Sequence, residues 1–380
     1  MKKFHDSKKS AAVLKHAIID KYATPFASKT SSTSAGKRVA FIDGYAGRGR
    51  YVDGREGSGA LLLRKAHELA EMSRPAYLEL HFVEDDPDTV AMLEAVVASE
   101  GSGVIVTVTP GDISTHLPGL LKECASIPLF VYLDPCGLLI PFDDVVKIFD
   151  RPRGLGAPAT EVLINFSASS LRRIAGHLTS KKGLEATLVR MDEVCGGPWW
   201  RDVWQTHLPD TNAAEAAVVE GYADRLREAA GGAATWVIDV RPRPGLKPVY
   251  YLVFATRHID GAVIFGESAS LGLKAWRKYL AEAAADGLFA ATWEEDWKAA
   301  EKALDAVWIQ QIADGIAVQL ASGPFRTTER YEEVFGDLVG VARSTHLRKA
   351  IEKLHKEGVT TTNPRGVAQE DLVSLQIKPA

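Results

Sequence analysis

The chain has 380 residues, more than one hydrophobic core comfortably organises, since cores stop growing near about 250–300 residues, so two domains are expected. A hydrophobic share of 46% with 25% charged residues excludes the disordered and fibrous classes. A net charge of -4 with a pI near 6.2 gives no global attraction to phosphate, so nucleic-acid contact needs a local basic patch.

In chain order, Val13, Leu14, Ala17, Ile18 and Tyr22 stand at helical spacing within 10–26, and Pro25 marks the end of an expected amphipathic helix. Residues 28–36 are rich in Ser, Thr and Lys without apolar period, and read as a flexible loop. From Lys37 the pattern changes. Buried-type strands are expected at 39–42, 78–83, 104–109, 129–133 and 162–166, separated by helices near 60–72, 89–98, 117–124 and 142–149. That alternation predicts an α/β fold with a doubly wound, Rossmann-type parallel sheet. Runs 235–240 and 249–255 flank a turn containing Pro242, Pro244, Gly245 and Pro248, and predict an antiparallel terminal hairpin. The first domain is expected over 1–270. A helical connector, expected at 271–310, holds Trp276, Trp293, Trp297 and Trp308, whose indoles read as packing between the two halves. A second domain is expected over 311–380.

Cys124, Cys136 and Cys195 lie far apart with no C-x-x-C spacing, so neither a disulfide framework nor a metal site is expected. No apolar run approaches the roughly 20 residues of a membrane span, and no apolar segment follows the N-terminal lysines, so no membrane contact and a cytoplasmic location are expected.

Four motifs carry chemistry. Asp43-Gly44-Tyr45-Ala46-Gly47-Arg48-Gly49 follows the first strand. Its glycines allow a sharp turn and close approach to a nucleotide-like ligand, while Asp43 opposes phosphate and suits a cationic group. Asp43, Gly44, Tyr45, Gly47 and Gly49 are therefore candidate cofactor-binding residues. His81-Phe82-Val83-Glu84-Asp85-Asp86 puts Glu84 at the tip of the second strand, where a carboxylate accepts ribose hydroxyls; the competing reading is a loop capping the next helix. Asp112, after the third strand, is placed to accept from an adenine amino group or to make an Asx turn. Together these residues fit S-adenosylmethionine, which carries a sulfonium and an ammonium. The fourth motif, Asp134-Pro135-Cys136-Gly137, ends the fourth strand. A carboxylate and carbonyls fixed there orient an attacking amine, so Asp134, Pro135 and Gly137 are candidate catalytic residues. Asn165, in Asn165-Phe166-Ser167, is a candidate substrate contact.

Asp134-Pro135-Cys136-Gly137 resembles the Asp-Pro-Pro-Tyr motif of amino methyltransferases and, more closely, an Asp-Pro-Phe-Gly variant in enzymes that methylate the exocyclic amine of guanine in transfer RNA. A mostly parallel sheet ending in an antiparallel hairpin is likewise the class I methyltransferase topology. The motifs in this order, with Gly57-Ser58-Gly59 and Asn165-Phe166, resemble the three-Cys-motif partner protein family (TcmP) over roughly 10–260, including Lys15 and Tyr22 in the first helix. Two positions depart from the family pattern: Gly59 stands for a proline and Tyr45 for a phenylalanine. The resemblance implies a methyltransferase-like Rossmann fold and an iron–sulfur, radical-type cysteine-motif partner, and it supplies no substrate.

Near the C-terminus, Leu347, Ala350, Ile351 and Leu354 share one helical face between Ser344 and Gly358. Residues 359–362, a turn at 363–366 and 372–377 follow as an expected wing, so a winged helix-turn-helix is expected. Five cations, Arg343, Arg348, Lys349, Lys353 and Lys356, oppose one acid, Glu352. Arg343, Lys349, Lys353 and Lys356 are candidate nucleic-acid contacts, against the alternative of a solvated or protein-binding face. The leading expectation is methyl transfer to an amino group, of a nucleobase in RNA or DNA. The alternative is a catalytically silent adaptor that binds nucleic acid or a partner protein. A nicotinamide oxidoreductase ranks third, for want of a dinucleotide fingerprint.

Overall fold

The computed structural model describes residues 10–152, 157–180, 184–232, 234–242, 245–285, 292–369 and 371–380. Pro244 of the expected hairpin turn, part of the expected connector and the N-terminal lysines lie outside these residues. The chain forms two compact units, Met1–Ala262 and Val263–Ala380.

In the first unit α1 (Ser10–Thr30), β1 (Arg38–Asp43), α2 (Ser58–Ala70), β2 (Tyr77–Glu84), α3 (Pro87–Glu100), β3 (Ile105–Pro110), α4 (Ile113–Glu123), β4 (Leu129–Leu133), α5 (Phe142–Asp150) and β5 (Thr160–Phe166) alternate. Four helices follow, α6 (Ala168–Thr179), α7 (Glu185–Cys195), α8 (Trp199–Thr206) and α9 (Thr211–Ala229), before β6 (Ala234–Val240) and β7 (Tyr250–Thr256). The seven strands order as β3-β2-β1-β4-β5-β7-β6. The first five are parallel, and β7 runs antiparallel to both β5 and β6. β4 and β5 are buried throughout, as continuous apolar runs must be when helices cover both faces of a sheet.

This order decides where a ligand can bind. The chain winds one way from β1 to β2 and β3, and the other way to β4 and β5, so the connections diverge at the β1/β4 pair. In doubly wound sheets the crevice outside the carboxyl ends of such a pair is the binding position. Asp43 ends β1 opposite Tyr132 of β4, and the Gly44 amide donates to the Tyr132 carbonyl at 2.9 Å, which places Asp43 and Asp134 on that crevice.

The first helix is longer than its sequence suggests. It continues through Pro25 to Thr30, and two short 3-10 turns, Ser31–Thr33 and Ala35–Lys37, replace much of the expected loop at 28–36. Phe26 and Ala27 are buried, and the Thr30 and Thr33 hydroxyls donate back to the carbonyls of Phe26 and Thr30, so packing and local hydroxyl bonds prolong a segment whose composition reads as a loop. Tyr22 and Phe26 stack into an aromatic cluster with Phe41, Phe130 and Phe254, with ring centroids 5.2–5.8 Å apart. Below it the Tyr22 hydroxyl donates to Glu161, which also accepts from the Thr256 hydroxyl. The cluster fixes α1 on the sheet, and with it Lys15, two turns earlier on the same face.

The second unit holds most of α10 (Ile259–Ala284), then α11 (Trp293–Leu320), α12 (Tyr331–Phe335) and α13 (Ser344–Lys356), with two short strands, β8 (Phe325–Arg326) and β9 (Gln376–Ile377), which pair antiparallel. The expected strand at 372–377 is mostly a 3-10 turn, Leu372–Ser374. The 359–362 segment pairs instead with the last residues: Thr360 bridges Pro379, and the Ala380 amide donates to Val359. Arg348 is turned inward to the Pro364 and Val367 carbonyls, each at 2.7 Å, and pins that loop to α13. No helix among the described residues is long and apolar enough to cross a membrane. Cys124 and Cys195 are buried free thiols and Cys136 is an exposed one.

Candidate functional site

At the carboxyl ends of β1, β4 and β5 lies a cavity of ≈ 640 Å³, within the range of ligand sites. The loop after β1 lines it with Tyr45, Gly47, Arg48 and Gly49, α1 with Lys15 and His16, the tip of β4 with Asp134, Pro135 and Cys136, and β5 with Asn165. A second cavity of ≈ 200 Å³ is lined by Asp112, Ser114, Leu138, Leu139 and Arg190, and Tyr45 lines both.

Asp43 is fully buried. Its Oδ1 accepts the Tyr45 amide at 3.2 Å, while Oδ2 meets no donor. Burial, with the charges of Asp134 and Glu84, pushes its pKa up to about 7, only partly countered by the Ser58 hydroxyl and the Tyr45 amide. A buried carboxyl with one unused oxygen lacks a cation or donor.

Asp134 is the opposite case. Lys15 pairs with its Oδ2, the Tyr132 hydroxyl donates to the same oxygen at 2.9 Å, and Asn165 Nδ2 donates to Oδ1 at 2.5 Å. A carboxylate can only accept, so Asn165 must turn its amino group toward Asp134. Its own carbonyl oxygen is then left buried and unpartnered. The Lys15 ammonium also stands 5.0 Å from the centroid of the Tyr250 ring.

The other expected residues divide. Glu84 is half-buried, accepts the Gly47 amide at 2.9 Å and the Asp85 and Asp86 amides at 3.1 Å, and so ties the glycine loop to the tip of β2. Burial raises its pKa. Asp112 caps α4 through the Ser114 amide at 2.8 Å while also lining the smaller cavity. Gly44 packs between the end of β4 and the start of α4, where an added Cβ would stand 2.9 Å from Leu133 and 3.0 Å from Ile113. Gly137 has open space around it. Gly49 turns at φ +77°, and its carbonyl accepts the Gly57 amide at 2.8 Å, a contact so close that a Cβ on Gly57 would sit 2.7 Å from that oxygen.

Sequence reading missed Lys15, Tyr132 and Arg48 as site residues. Lys15 carried one signal, its seven-residue spacing from Tyr22 on one helix face; Tyr132, two residues before Asp134 in a strand, shares its face. On α13, Lys349 and Lys356 are exposed. Lys353 pairs with Glu357, and Arg343 is half-buried with its Nε unpartnered.

No family model matches the sequence, and no curated protein does. Among solved structures, the chain is similar to the O-methyltransferase TomG of Streptomyces achromogenes, solved in complex with SAM: 14% identity, 64% of this chain and 89% of that one, TM-score 0.31. An O-methyltransferase from Bacillus cereus in complex with SAH is 11% identical over 63% and 80% of the two chains, TM-score 0.32. The SAH-bound methyltransferase PaMTH1 of Podospora anserina is 12% identical over 65% and 88%, TM-score 0.30. Likeness at this level transfers no activity, ligand or substrate.

Proposed function

We propose that this chain is an S-adenosylmethionine-dependent methyltransferase acting on an amino group, that of a nucleobase in RNA or DNA. The observation that carries the reading is the presence, at the carboxyl ends of β1 and β4, of a buried carboxyl with one unpartnered oxygen, Asp43, and of a fully oriented one, Asp134. Asp43, the Gly47–Gly49 loop that Glu84 fastens, and Asp112 are the residues that would hold the cofactor. The unused Oδ2 of Asp43 and its raised pKa fit a ligand that brings cationic or hydroxyl donors. When bound, S-adenosylmethionine supplies an electrophilic methyl group on a sulfonium.

The chain's own residues supply orientation, which is the larger need when no proton must be moved before attack. Tyr132 and Lys15 hold one oxygen of Asp134 and Asn165 the other. An amino group has two N–H donors, one for the free Asn165 carbonyl and one for Asp134, and its lone pair is then directed away from both. A hydroxyl has a single hydrogen and cannot satisfy both acceptors, so the donor count favours an amine. Pro135 restricts the backbone after Asp134 and keeps the strand tip in place.

For a nucleic-acid substrate, support comes from the second unit. Its order of helix, short strand, two helices and a pairing C-terminal segment is compatible with a winged helix, and α13 exposes Lys349 and Lys356. The motif order that resembles the three-Cys-motif partner family supports an iron–sulfur cysteine-motif protein as companion. Calorimetric titration with S-adenosylmethionine and S-adenosylhomocysteine tests the reading. Micromolar binding, lost in an Asp43→Ala/Glu84→Ala double variant, is the expected result. No binding at millimolar ligand overturns it and leaves the silent-adaptor alternative.

A further inference from the structure

Of the charged side chains lining the larger cavity, all but one are neutralised by the protein itself. Lys15 is paired with Asp134. Arg50 makes a two-pronged ion pair with Glu100, at 2.7 Å on each prong. Arg48 lines the same cavity, makes no hydrogen bond or ion pair with a described residue, and has its Nε buried without an acceptor. A buried guanidinium nitrogen without an acceptor is costly, because that N–H has given up water and received nothing for it. The cost is removed by an oxyanion, which the planar guanidinium grips with two parallel N–H donors.

Arg48 also stands on a braced element. It lies between Gly47, whose amide Glu84 holds, and Gly49, whose carbonyl accepts the Gly57 amide, so the backbone that carries it is fixed on both sides. A rigid root with an unsatisfied head is the arrangement of a binding residue and differs from that of a solvated surface arginine.

We infer that Arg48 is an anion-binding subsite of the cavity, for a carboxylate or phosphate of the molecule that occupies it. The inference deepens the methyltransferase reading, and under that reading the oxyanion has two sources: the amino-acid carboxylate of the cofactor or a phosphate of the acceptor. Two ligand pairs separate them. S-adenosylhomocysteine is compared with 5′-methylthioadenosine, the same thioether nucleoside without the amino-acid end, and nucleoside 5′-monophosphates are compared with their nucleosides. Calorimetry is run on the wild-type chain and on Arg48→Gln.

In one pair the wild type is expected to prefer the member that carries the oxyanion by about tenfold or more. Arg48→Gln is expected to reduce that preference by about tenfold while leaving affinity for the member without the oxyanion within about twofold, given that the substitution removes the guanidinium charge and little else. The pair that collapses names the source. Preferences that persist unchanged in Arg48→Gln overturn the inference. If no nucleoside-type ligand binds the wild type, the cofactor reading has failed by itself, and Arg48 is judged on inorganic phosphate alone. At ionic strength fixed with chloride, rising phosphate should then raise the Tm of the wild type and not of Arg48→Gln. An equal response of the two proteins overturns the subsite.

Discussion

Asp134 takes its three donors from three elements: Lys15 from α1, Tyr132 from its own strand and Asn165 from the neighbouring strand. Two of these relations are local in the fold. β4 and β5 are adjacent and parallel, so the acid and the amide at their tips meet; in the sequence Asp134 stands out by its Asp-Pro motif and Asn165 by its place at the end of the next strand. The third joins residues 119 positions apart, and no local pattern encodes it. Under the proposed reading, Asp134 orients the nucleophile and leaves the holding of the cofactor to other residues of the cavity it lines. Asp134→Ala should therefore lower turnover by about 100-fold or more while the affinity for S-adenosylhomocysteine changes by less than about threefold. Single-turnover methylation beside calorimetry checks this, and parallel losses in both would reassign the residue to cofactor binding.

At the scale of elements, the parallel strands were readable because burial on both faces makes them continuous apolar runs. The hairpin of β6 and β7 was readable from the turn residues between two such runs. The stretch from α6 to α9 was not. α9 draws much of its apolar content from alanine, which blurs a helical period, and α8 has only eight residues. Glu84 is legible as an acid at a strand tip, and its bonds to the Asp85 and Asp86 amides are local, but its bond to the Gly47 amide reaches a loop 37 residues away that no local pattern announces. In α13 the count of cations was readable and their engagement was not: Arg348 is spent on the following loop and Lys353 on Glu357. If α13 meets nucleic acid, a Lys349→Ala/Lys356→Ala variant should reduce the slope of log affinity against log salt by roughly 2, at about 0.9 for each phosphate no longer neutralised. Lys353→Ala should change it less. Fluorescence anisotropy across a salt series would show this, and an unaltered slope in the double variant would remove α13 from the interface.

For the molecule as a whole, a buried acid away from the cavity couples stability to pH. Glu161 is buried between Tyr22 of α1 and Thr256 of β7, and burial pushes its pKa from 4.5 up to about 7, against the two hydroxyls that favour the anion. The folded chain thus keeps a proton that the unfolded chain has released. Its contribution is fully present below about pH 4.5 and is lost as pH rises toward about 7. Glu161→Gln resembles the protonated acid at every pH. Its Tm should match that of the wild type near pH 4.5 and exceed it increasingly toward pH 7, as thermal unfolding of the full chain would register. A constant difference across the range would mean that folding does not raise the Glu161 pKa.

Tyr45 is a wall common to the ≈ 640 Å³ and ≈ 200 Å³ cavities. Two small molecules, one in each, would therefore both contact Tyr45. A longer molecule reaching from Arg48 to Asp112 passes Tyr45 and must displace whatever part of that residue stands between the two cavities. Joining two such fragments covalently then yields less affinity than their separate bindings promise, and the shortfall measures how firmly Tyr45 holds its place.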